Sequence, residues 1–399
     1  MPPQKLLTLA GPQFRSNPYP FYSRLRRDHP VLEVVTSDGH TAWLITRYKD
    51  ALSALKDKRL SKDKVYLNEK PQWTPAFFRP LERNMLDVDD PDHARLRTLV
   101  HKAFTPALIE TLRASIKAIT EELIEFAKPR GRMDLIAEFA LPLPVAVISQ
   151  MLGIPNKARH KFHGWSNAIV TSQSSKIGAL TAIPSVIAFL RYIRRLVRLR
   201  QERPESDLTT ALIQAEEAGD RMSGDEMLSM IFLLLIAGHE TTVNLIGNGV
   251  LALLMHPEQM EKLRDNSSLI TSAVEEMLRF DSPVEMATER YTTEKIEISG
   301  VSIPAGARVY VVFASANRDE QQFEYADQFD ITRLNNRHLS FGMGAHYCLG
   351  APLARLEGQI AITALLKHMP KLRLATPYND IQWKPGLVLR GVKALSVHF

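Results

Sequence analysis

The sequence predicts a mainly α protein, a single large helical domain (residues 1–399) with a minor β region. Apolar residues recur at helical spacing along most of the chain, and the longest such stretch follows a Ser223-Gly-Asp-Glu226 capping box. Short alternating runs typical of β-strands occur within residues 31–46 and 290–306. No linker, low-complexity tract or internal repeat divides the chain.

Composition narrows the classes of function. The apolar fraction of 45% is ordinary for a globular chain, and a single cysteine indicates no reliance on disulfides. We find no signal peptide and no apolar run near the ~20 residues of a membrane span, so we expect a soluble, cytoplasmic monomer that binds no membrane. The net charge of +6 comes without a nucleic-acid recognition motif, and an acidic protein partner explains it better.

The N-terminal part combines short helices with one β pair. The residues form an amphipathic segment at 21–27, a β pair at 31–35 and 41–46, and a short helix at 48–56. Residues 61–86 have no clear period, and we predict a long loop there. Long loops in compact domains are usually functional.

A helix is predicted just after Asp89, because Pro91 fits a first turn and the neighbouring acids suit its positive end. His93 and Arg97 are four residues apart and therefore share one face of this helix. By themselves they are either two exposed basic groups on a solvated face or two donors for an anionic ligand.

Further helices are predicted over residues 108–127 and 135–152, with two more between 157 and 203. The last of these carries Arg191, Arg194, Arg195, Arg198 and Arg200. We interpret these arginines as a solvated helix face.

The helix that begins at Ser223 can extend to Met255, a length of roughly 50 Å. It contains Ala237-Gly-His-Glu-Thr-Thr242, whose small residues would let a ligand approach the helix axis. The Thr241 hydroxyl can bond to the carbonyl four residues earlier and bend the helix. A buried acid such as Glu240 is costly in an apolar helix unless it has a partner or a function.

The next helix carries Glu276 and Arg279 at i,i+3, an ordinary surface pair when taken alone. Short strands follow between residues 290 and 306, with turns at Ser299-Gly300 and Pro304-Ala-Gly306. Residues 387–389 are predicted to form a hairpin tip.

The only cysteine, Cys348, lies in Phe341-Gly-Met-Gly-Ala-His-Tyr-Cys-Leu-Gly350, ahead of a helical run that ends at His368. A free cysteine is usually a buried structural residue. A thiolate can, however, be the single protein ligand of a haem iron, whereas structural zinc needs four ligands. Gly342 and Gly344 allow positive φ, so the loop can fold tightly under a flat cofactor. The start of a helix favours the thiolate over the thiol.

The cysteine loop resembles, without departure, the haem-thiolate loop F-x-x-G-x-[HR]-x-C-x-G of the cytochrome P450 family. The resemblance extends from about Asn17 to about Val397 and includes the family's [AG]-G-x-[DE]-T-T at residues 237–242 and its E-x-x-R at residues 276–279. It implies the cytochrome P450 fold, a large helical domain around haem b (iron protoporphyrin IX), and a soluble bacterial-type monooxygenase.

The resemblance also implies roles for individual residues. Cys348 would ligate the iron, and Thr241 with Glu240 would deliver protons to oxygen. Glu276, Arg279 and Arg333 would brace the cysteine loop without taking part in catalysis. The other residues expected to contact the cofactor are His93, Arg97, Ala237, Gly238, Arg290, Phe341, Gly342, His346 and Gly350.

The implied reaction inserts one atom of O2 into a C–H or C=C bond of a small apolar organic substrate. The candidate pocket residues are Phe77, Phe78, Leu233, Leu234, Ala237, Val284, Met286, Ala287 and Val388. They suit a fatty acid, terpenoid, steroid or macrolide equally well. Electrons would come from NAD(P)H through a reductase and a ferredoxin or flavodoxin. Basic residues that include Arg95, His101, Lys102 and Arg355 are either a docking face for this donor or scattered solvated charges.

Two alternatives compete with this prediction. A peroxide-dependent peroxygenase of the same fold would lack the Glu240/Thr241 pair and carry a substrate-binding arginine there. A haem sensor or binding protein without turnover would need no proton-delivery groove. The pair at 240 and 241 therefore favours the monooxygenase.

Overall fold

The computed structural model describes residues 11–36, 39–67, 84–155, 157–158, 161–162, 164–165, 168, 176–216 and 219–399. The α-helices are α1 Pro12–Ser16, α2 Tyr19–Asp28, α3 Tyr48–Ala54, α4 Asp92–Ala103, α5 Pro106–Thr111, α6 Arg113–Ala127, α7 Pro142–Met151, α8 Lys176–Glu202, α9 Leu208–Gln214, α10 Gly224–Met255, α11 Pro257–Asp265, α12 Ile270–Phe280, α13 Phe313–Ala316 and α14 Ala351–His368. A π-helical turn, Ile136–Ala140, precedes α7, and 3-10 turns cover Lys64–Tyr66, Lys128–Arg130, Ser267–Leu269, Gly344–His346 and Tyr378–Asp380.

The strands are β1 Val31–Val35, β2 Thr41–Ile45, β3 Leu60–Ser61, β4 Arg132–Asp134, β5 Arg290–Thr292, β6 Ile296–Ile298, β7 Val301–Ile303, β8 Arg308–Val311, β9 Arg373–Leu374 and β10 Ser396–His398. They form one five-stranded sheet in the order β1-β2-β8-β5-β3, a three-stranded sheet β4-β10-β9 and the hairpin β6-β7. The predicted β1–β2 pair is antiparallel, with Val31 opposite Ile45, and β8 adds to β2 in parallel. The mainly α architecture with a minor β region is confirmed.

Helix α10 is the central element, and both of its predicted ends are confirmed. The Ser223 hydroxyl accepts from the Glu226 N–H at 3.2 Å, and the Glu226 carboxylate accepts from the Ser223 N–H at 2.8 Å. The helix ends at Met255, before His256 and Pro257. It packs against α7, α12 and α14, and most of its residues are buried.

By length and composition, α10 is also the one helix among the described residues that would suit a membrane span. In this protein 56% of that apolar window is buried inside the fold. Such burial is typical of a core helix.

Two predicted helices are interrupted. The helix expected over 108–127 divides at Leu112 into α5 and α6, and the one over 135–152 divides into the π-helical turn and α7. Pro142 begins α7, where its missing N–H costs nothing.

The arginines of α8 do not all lie on a solvated face. Arg191, Arg194, Arg195 and Arg198 are exposed, as expected. The expectation is wrong for Arg200, which is buried, ion-paired with Asp207 and Glu205, and donates to the Gly153 carbonyl at 2.9 Å. It ties the end of α8 to the segments that precede α9 and follow α7.

Candidate active site

Residues 382–393 form a hairpin near the C-terminus, with Val388 at its tip. A cavity of about 540 Å³ lies between α10, the cysteine loop and the tip of this C-terminal hairpin. Its walls are mostly apolar. The predicted site residues that line it are His93, Arg97, Leu233, Leu234, Ala237, Gly238, Thr241, Val284, Ala287, Arg290, Phe341, Gly342, His346, Cys348, Gly350 and Val388. The fold therefore brings together segments that are far apart in the chain.

The cysteine loop is held in shape by its backbone. Gly342 and Gly344 have φ of 70° and 77°, the left-handed region that favours glycine. A Cβ at Gly344 would lie 2.9 Å from the Leu55 carbonyl oxygen, so any side chain would push the loop away from α3. The Cys348 N–H donates to the Phe341 carbonyl at 2.9 Å and closes the loop, and Cys348 lines the cavity.

The charge state of Cys348 reflects two opposed effects. Burial raises the pKa of the thiol, while the N–H groups of Gly350 and Ala351 and the positive charge of Arg97 act in the opposite direction. The prediction that the helix start favours the thiolate has the right sign, but burial outweighs it. A thiolate here therefore needs a cation at the sulfur, and a metal ion supplies one.

Four predicted basic residues, two arginines and two histidines, converge at one edge of the cavity. The rings of His93 and His346 lie 4.1 Å apart, Arg97 donates to the Tyr347 carbonyl at 2.7 Å, and Arg290 donates to the Leu60 carbonyl at 3.2 Å. Among the described residues, His93 Nε2 and Arg290 Nε are buried without a hydrogen-bond partner. Burial and the neighbouring positive groups lower the pKa of His346 to about 2.

This edge suits a ligand that carries carboxylates. An anionic group would satisfy the orphaned donors and offset the repulsion among the cations. Haem has two propionates on one edge, and the cysteine loop lies at the same cavity. The residues present therefore fit haem.

Lys62 belongs to this cluster and was missed by the sequence analysis. It lines the cavity, and its Nζ donates to Thr288 Oγ1 and to the Glu289 carbonyl, both at 2.6 Å. Burial, together with the charge of Arg290, lowers its pKa to about 7. Lys62 follows β3 inside the stretch predicted as a loop without period, and no motif marks it.

The threonine motif of α10 has the expected local geometry. Thr241 Oγ1 donates to the Ala237 carbonyl at 2.6 Å, and Thr242 Oγ1 donates to the Gly238 carbonyl at 3.0 Å. Both threonines line the cavity. Glu240 does not; its Oε1 lies 3.4 Å from Lys384 Nζ, beside the cavity wall.

The three residues predicted to form a brace are in contact, because Arg279 and Arg333 both reach Glu276. Arg279 donates twice to Glu276 at 2.8 Å, and both side chains are fully buried. Arg333 Nε lies 3.2 Å from Glu276, and Asn336 donates to Glu276 at 3.0 Å. Arg279 also donates to the Asn317 carbonyl at 2.9 Å, which links the brace to the segment before the cysteine loop.

That link continues through the Asn317 side chain. Asn317 donates to Ser340 Oγ at 2.8 Å and accepts from the Leu339 N–H at 2.6 Å. Both partners directly precede Phe341, so the brace reaches the loop through two short contacts.

The predicted substrate pocket needs one correction. Met286 is fully buried but does not line the cavity, because it packs in a second cluster with Tyr22, Val34 and Val312. Its neighbours Val284 and Ala287 do line the cavity. Phe77 and Phe78 lie outside the described residues. Leu389 belongs to the predicted hairpin tip and lines the cavity. Apolar residues of the lining that were not predicted include Leu86, Phe104, Ile148, Leu245, Phe313 and Leu353.

Of these missed residues, Leu245 had a signal in the sequence. It follows Thr241 by four residues and therefore shares its helix face. The others come from separate segments, and nothing in their local sequence indicates the cavity.

Two members of the predicted donor-docking face already have acidic partners within the chain. Arg95 is ion-paired with Glu226 and Asp220, and Arg355 donates to Glu275 at 2.7 and 2.8 Å. Burial opposes this pairing, but hydrogen bonds from Arg355 and His338 bring the pKa of Glu275 to about 2.

Two other members of that face remain exposed. Lys102 donates to the Glu216 carbonyl at 2.7 Å, and burial with the charge of Arg97 lowers the pKa of His101. Two further cations that were not predicted, Lys56 and Arg337, are exposed and have no ion pair among the described residues. The Lys56 side chain lies close to Gly344 of the cysteine loop.

Fold and cavity together define a mainly helical protein whose cysteine loop borders an apolar cavity that suits haem. The comparisons name its family. The cytochrome P450 family model matches residues 186–370. The chain is 43% identical to the polyketide biosynthesis cytochrome P450 PksS of Bacillus subtilis, over 97% of each protein. It is 42% identical to the cytochrome P450 monooxygenase PikC of Streptomyces venezuelae, over 100% of this chain and 95% of PikC.

Solved structures agree. PksS superposes with a TM-score of 0.91 at 42% identity, covering 97% of this chain and 98% of PksS. The structure of P450BioI in complex with an acyl carrier protein ligated to hexadec-9Z-enoic acid superposes with a TM-score of 0.88 at 38% identity. The match covers 98% of this chain and 100% of that chain. This chain belongs to the cytochrome P450 family and is an oxidoreductase of that family.

Proposed function

We propose that the enzyme inserts one atom of O2 into an apolar organic substrate, with electrons from NAD(P)H that arrive through a ferredoxin or flavodoxin. The observation that carries this proposal is that Cys348 and Thr241 line one mostly apolar cavity. A thiolate that holds haem iron, a hydroxyl and an apolar space are what an oxygen-inserting site requires.

In this proposal the cofactor is haem b. Cys348 holds its iron, and His93, Arg97, Arg290, His346 and Lys62 hold its carboxylates. When bound, haem supplies the redox chemistry that activates O2. All other contributions come from the chain, which excludes water, orients the substrate and supplies protons.

Thr241 and Glu240 supply those protons. Because the Thr241 O–H donates to the Ala237 carbonyl, its oxygen lone pairs remain available to accept from water in the cavity. The adjacent Glu240 side chain retains 14% of its exposure and can exchange protons with solvent. Acid and hydroxyl thus link solvent to the cavity in two steps.

The substrate is an apolar molecule of fatty-acyl or polyketide type. The apolar side chains from α7, α10 and the hairpin tip support this class, since few polar groups face the cavity. The names of related proteins point the same way: one relative acts in polyketide biosynthesis, and P450BioI was solved with a fatty-acyl carrier protein.

A turnover screen tests the proposal. Haem-loaded protein is first titrated with fatty acids, macrolactones and steroids to find compounds that shift its absorption spectrum. Each binder is then incubated with NADPH, a surrogate ferredoxin and its reductase under 18O2, and products are identified by mass spectrometry. One 18O atom in the product is expected. Product from hydrogen peroxide alone, with none from the ferredoxin system, would indicate a peroxygenase; no product from either would indicate a sensor.

A further inference from the structure

The acid of the α10 motif has a partner on the C-terminal hairpin. Lys384 Nζ lies 3.4 Å from Glu240 Oε1 and donates to Asn244 Oδ1 at 3.1 Å. Glu240 and Asn244 are four residues apart and share one helix face. Among the described residues, Lys384 is the one cation within ion-pair distance of Glu240.

Lys384 lies in the paired base of the C-terminal hairpin, residues 382–384 and 391–393, here called the stem. Several contacts fix the position of this stem. Trp383 and Val392 form an antiparallel bridge, and the Lys384 N–H donates to the Gly391 carbonyl at 2.8 Å. The Lys384 carbonyl accepts from Arg15 Nε at 3.1 Å. A Cβ at Gly391 would collide with the Asn244 amide, so stem and helix touch directly.

The other end of the same hairpin reaches the cavity. Val388 and Leu389 line it, and the Val388 carbonyl accepts from the Glu285 N–H at 2.8 Å. The stem with Lys384 therefore has little freedom to move away from α10. A lysine side chain that starts from this backbone is held beside Glu240.

Glu240 itself has a single charged partner and partial access to water. Its side chain is 14% exposed and that of Lys384 is 23% exposed, so both charged groups are partly accessible to water. Without the lysine, the carboxylate could turn toward solvent, where its charge is better hydrated. It would then spend less time next to Thr241.

We propose that Lys384 is a positioning residue for proton delivery, which holds the Glu240 carboxylate at the wall between solvent and the Thr241 side of the cavity. This inference rests on the proposed function, in which Glu240 is a proton carrier. Lys384 touches neither substrate nor cofactor and acts through Glu240.

The test compares variants of the haem-loaded enzyme. Lys384→Met keeps side-chain length but removes the charge, and Lys384→Arg restores a cation. Lys393→Met is the matched control, since Lys393 is exposed on the other strand of the same stem. Each is also made in a Glu240→Gln background. The measurements are product formed per NADPH oxidised, the solvent isotope effect on NADPH oxidation, and the thermal midpoint of the resting protein.

Lys384→Met is expected to lower product per NADPH at least threefold and to raise the solvent isotope effect, with haem content and substrate-binding shift retained. Lys384→Arg should recover most of the product, and Lys393→Met should match the parent. In the Glu240→Gln background, Lys384→Met should cause no further loss of product. Lys384→Met should also lower the thermal midpoint less in the Glu240→Gln background than in the parent, because the ion pair is already absent there.

Three results would overturn the inference. If Lys384→Met forms as much product per NADPH as the parent while Glu240→Gln forms less, the acid has its proposed role and the lysine does not. An equal loss in both backgrounds would show that Lys384 acts through something other than Glu240. Unimpaired turnover in Glu240→Gln would refute the acid's role and, with it, this inference.

Discussion

The charge state of Cys348 depends on whether a metal ion is bound to its sulfur. Cys348 lines the cavity, and burial raises the pKa of its thiol. The local N–H groups and Arg97 do not fully compensate. We therefore expect the thiolate to persist only with iron bound.

Replacing Cys348 with histidine tests this ligation. The reduced, CO-bound parent should show the red-shifted Soret band of haem-thiolate proteins, and Cys348→His should lose it while it can still bind haem. The chain has no other cysteine to replace the ligand. An unchanged band in the variant, recorded by absorption spectroscopy, would contradict the assignment.

The Thr241 hydroxyl is expected to control how much product is formed per NADPH oxidised. Thr241→Ala removes one hydroxyl and one methyl beside an open cavity, so haem content and substrate binding should change little. NADPH consumption should continue, but product per NADPH should fall about tenfold or more and hydrogen peroxide should rise.

Thr242 is not a suitable control, because it lines the same cavity and makes the same type of bond. Thr120 is a better one: its hydroxyl donates to the Ile116 carbonyl at 2.7 Å, four residues earlier in α6, and it does not line the cavity. Thr120→Ala should change stability but not coupling. A well-coupled Thr241→Ala enzyme would mean that this hydroxyl does not organise proton delivery.

At the scale of elements, α12 is joined to the cysteine loop by the Glu276 network. Glu276→Gln leaves Arg279 buried with an uncompensated charge, so we expect a loss of about 3–5 kcal/mol in the free energy of unfolding. The pair formed by Glu261 and Arg264 has the same i,i+3 spacing but an exposed acid. Glu261→Gln should cost at most about 1 kcal/mol by denaturant titration. Equal costs would mean that the buried pair is not a structural brace.

Helix α14 carries a second buried acid, and it makes stability depend on pH. Burial raises the pKa of Glu357 from 4.5 to about 8, and its Oε2 has no partner among the described residues. Between about pH 5 and 8 the folded state therefore holds a proton that the unfolded state has released, and stability contributed by this group falls as pH rises.

The neutral variant Glu357→Gln should escape this loss. Its thermal midpoint should rise relative to that of the parent as pH increases from 5 to 8, by several degrees at the upper end. Thermal unfolding of the haem-loaded proteins at stepped pH measures the difference. Parallel curves for parent and variant would show that Glu357 is not protonated in the folded protein.

At the scale of the whole molecule, the net charge is +6, but some of the cations are paired with acids of the chain and others are not. Arg95 and Arg355 are neutralised by nearby acids, whereas Lys56 and Arg337 remain free among the described residues. We expect an acidic electron donor to dock near the cysteine loop through such uncompensated cations.

Charge reversal tests this docking. Lys56→Glu and Arg337→Glu should each slow the first electron transfer severalfold at low salt, and the difference from the parent should shrink as salt shortens the Debye length below ~10 Å. Lys371→Glu is the control, because Lys371 is exposed beyond the far end of α14, about 27 Å along the helix from the loop. Equal slowing by all three changes, in stopped-flow reduction, would indicate only a general charge effect.

Much of the fold and the site could be predicted because their signals are local. The capping box of α10, the turns of the cysteine loop and the hydroxyl bonds of Thr241 and Thr242 involve residues within a few positions of each other. Backbone conformation and helix-face geometry follow directly from such short spacings. The sequence by itself therefore determined the helical architecture, the family resemblance and the residues of the cysteine loop.

Only the tertiary structure decided which distant groups meet. Lys384 and Glu240 are 144 residues apart, Lys62 reaches Thr288 across 226 positions, and Met286 turns into a cluster built around α2 and the main sheet. Compensation of Arg95 and Arg355 likewise depends on acids 131 and 80 residues away. These contacts arise because burial packs whole helix and sheet faces together, and no short stretch of sequence records which side chain will lie opposite which.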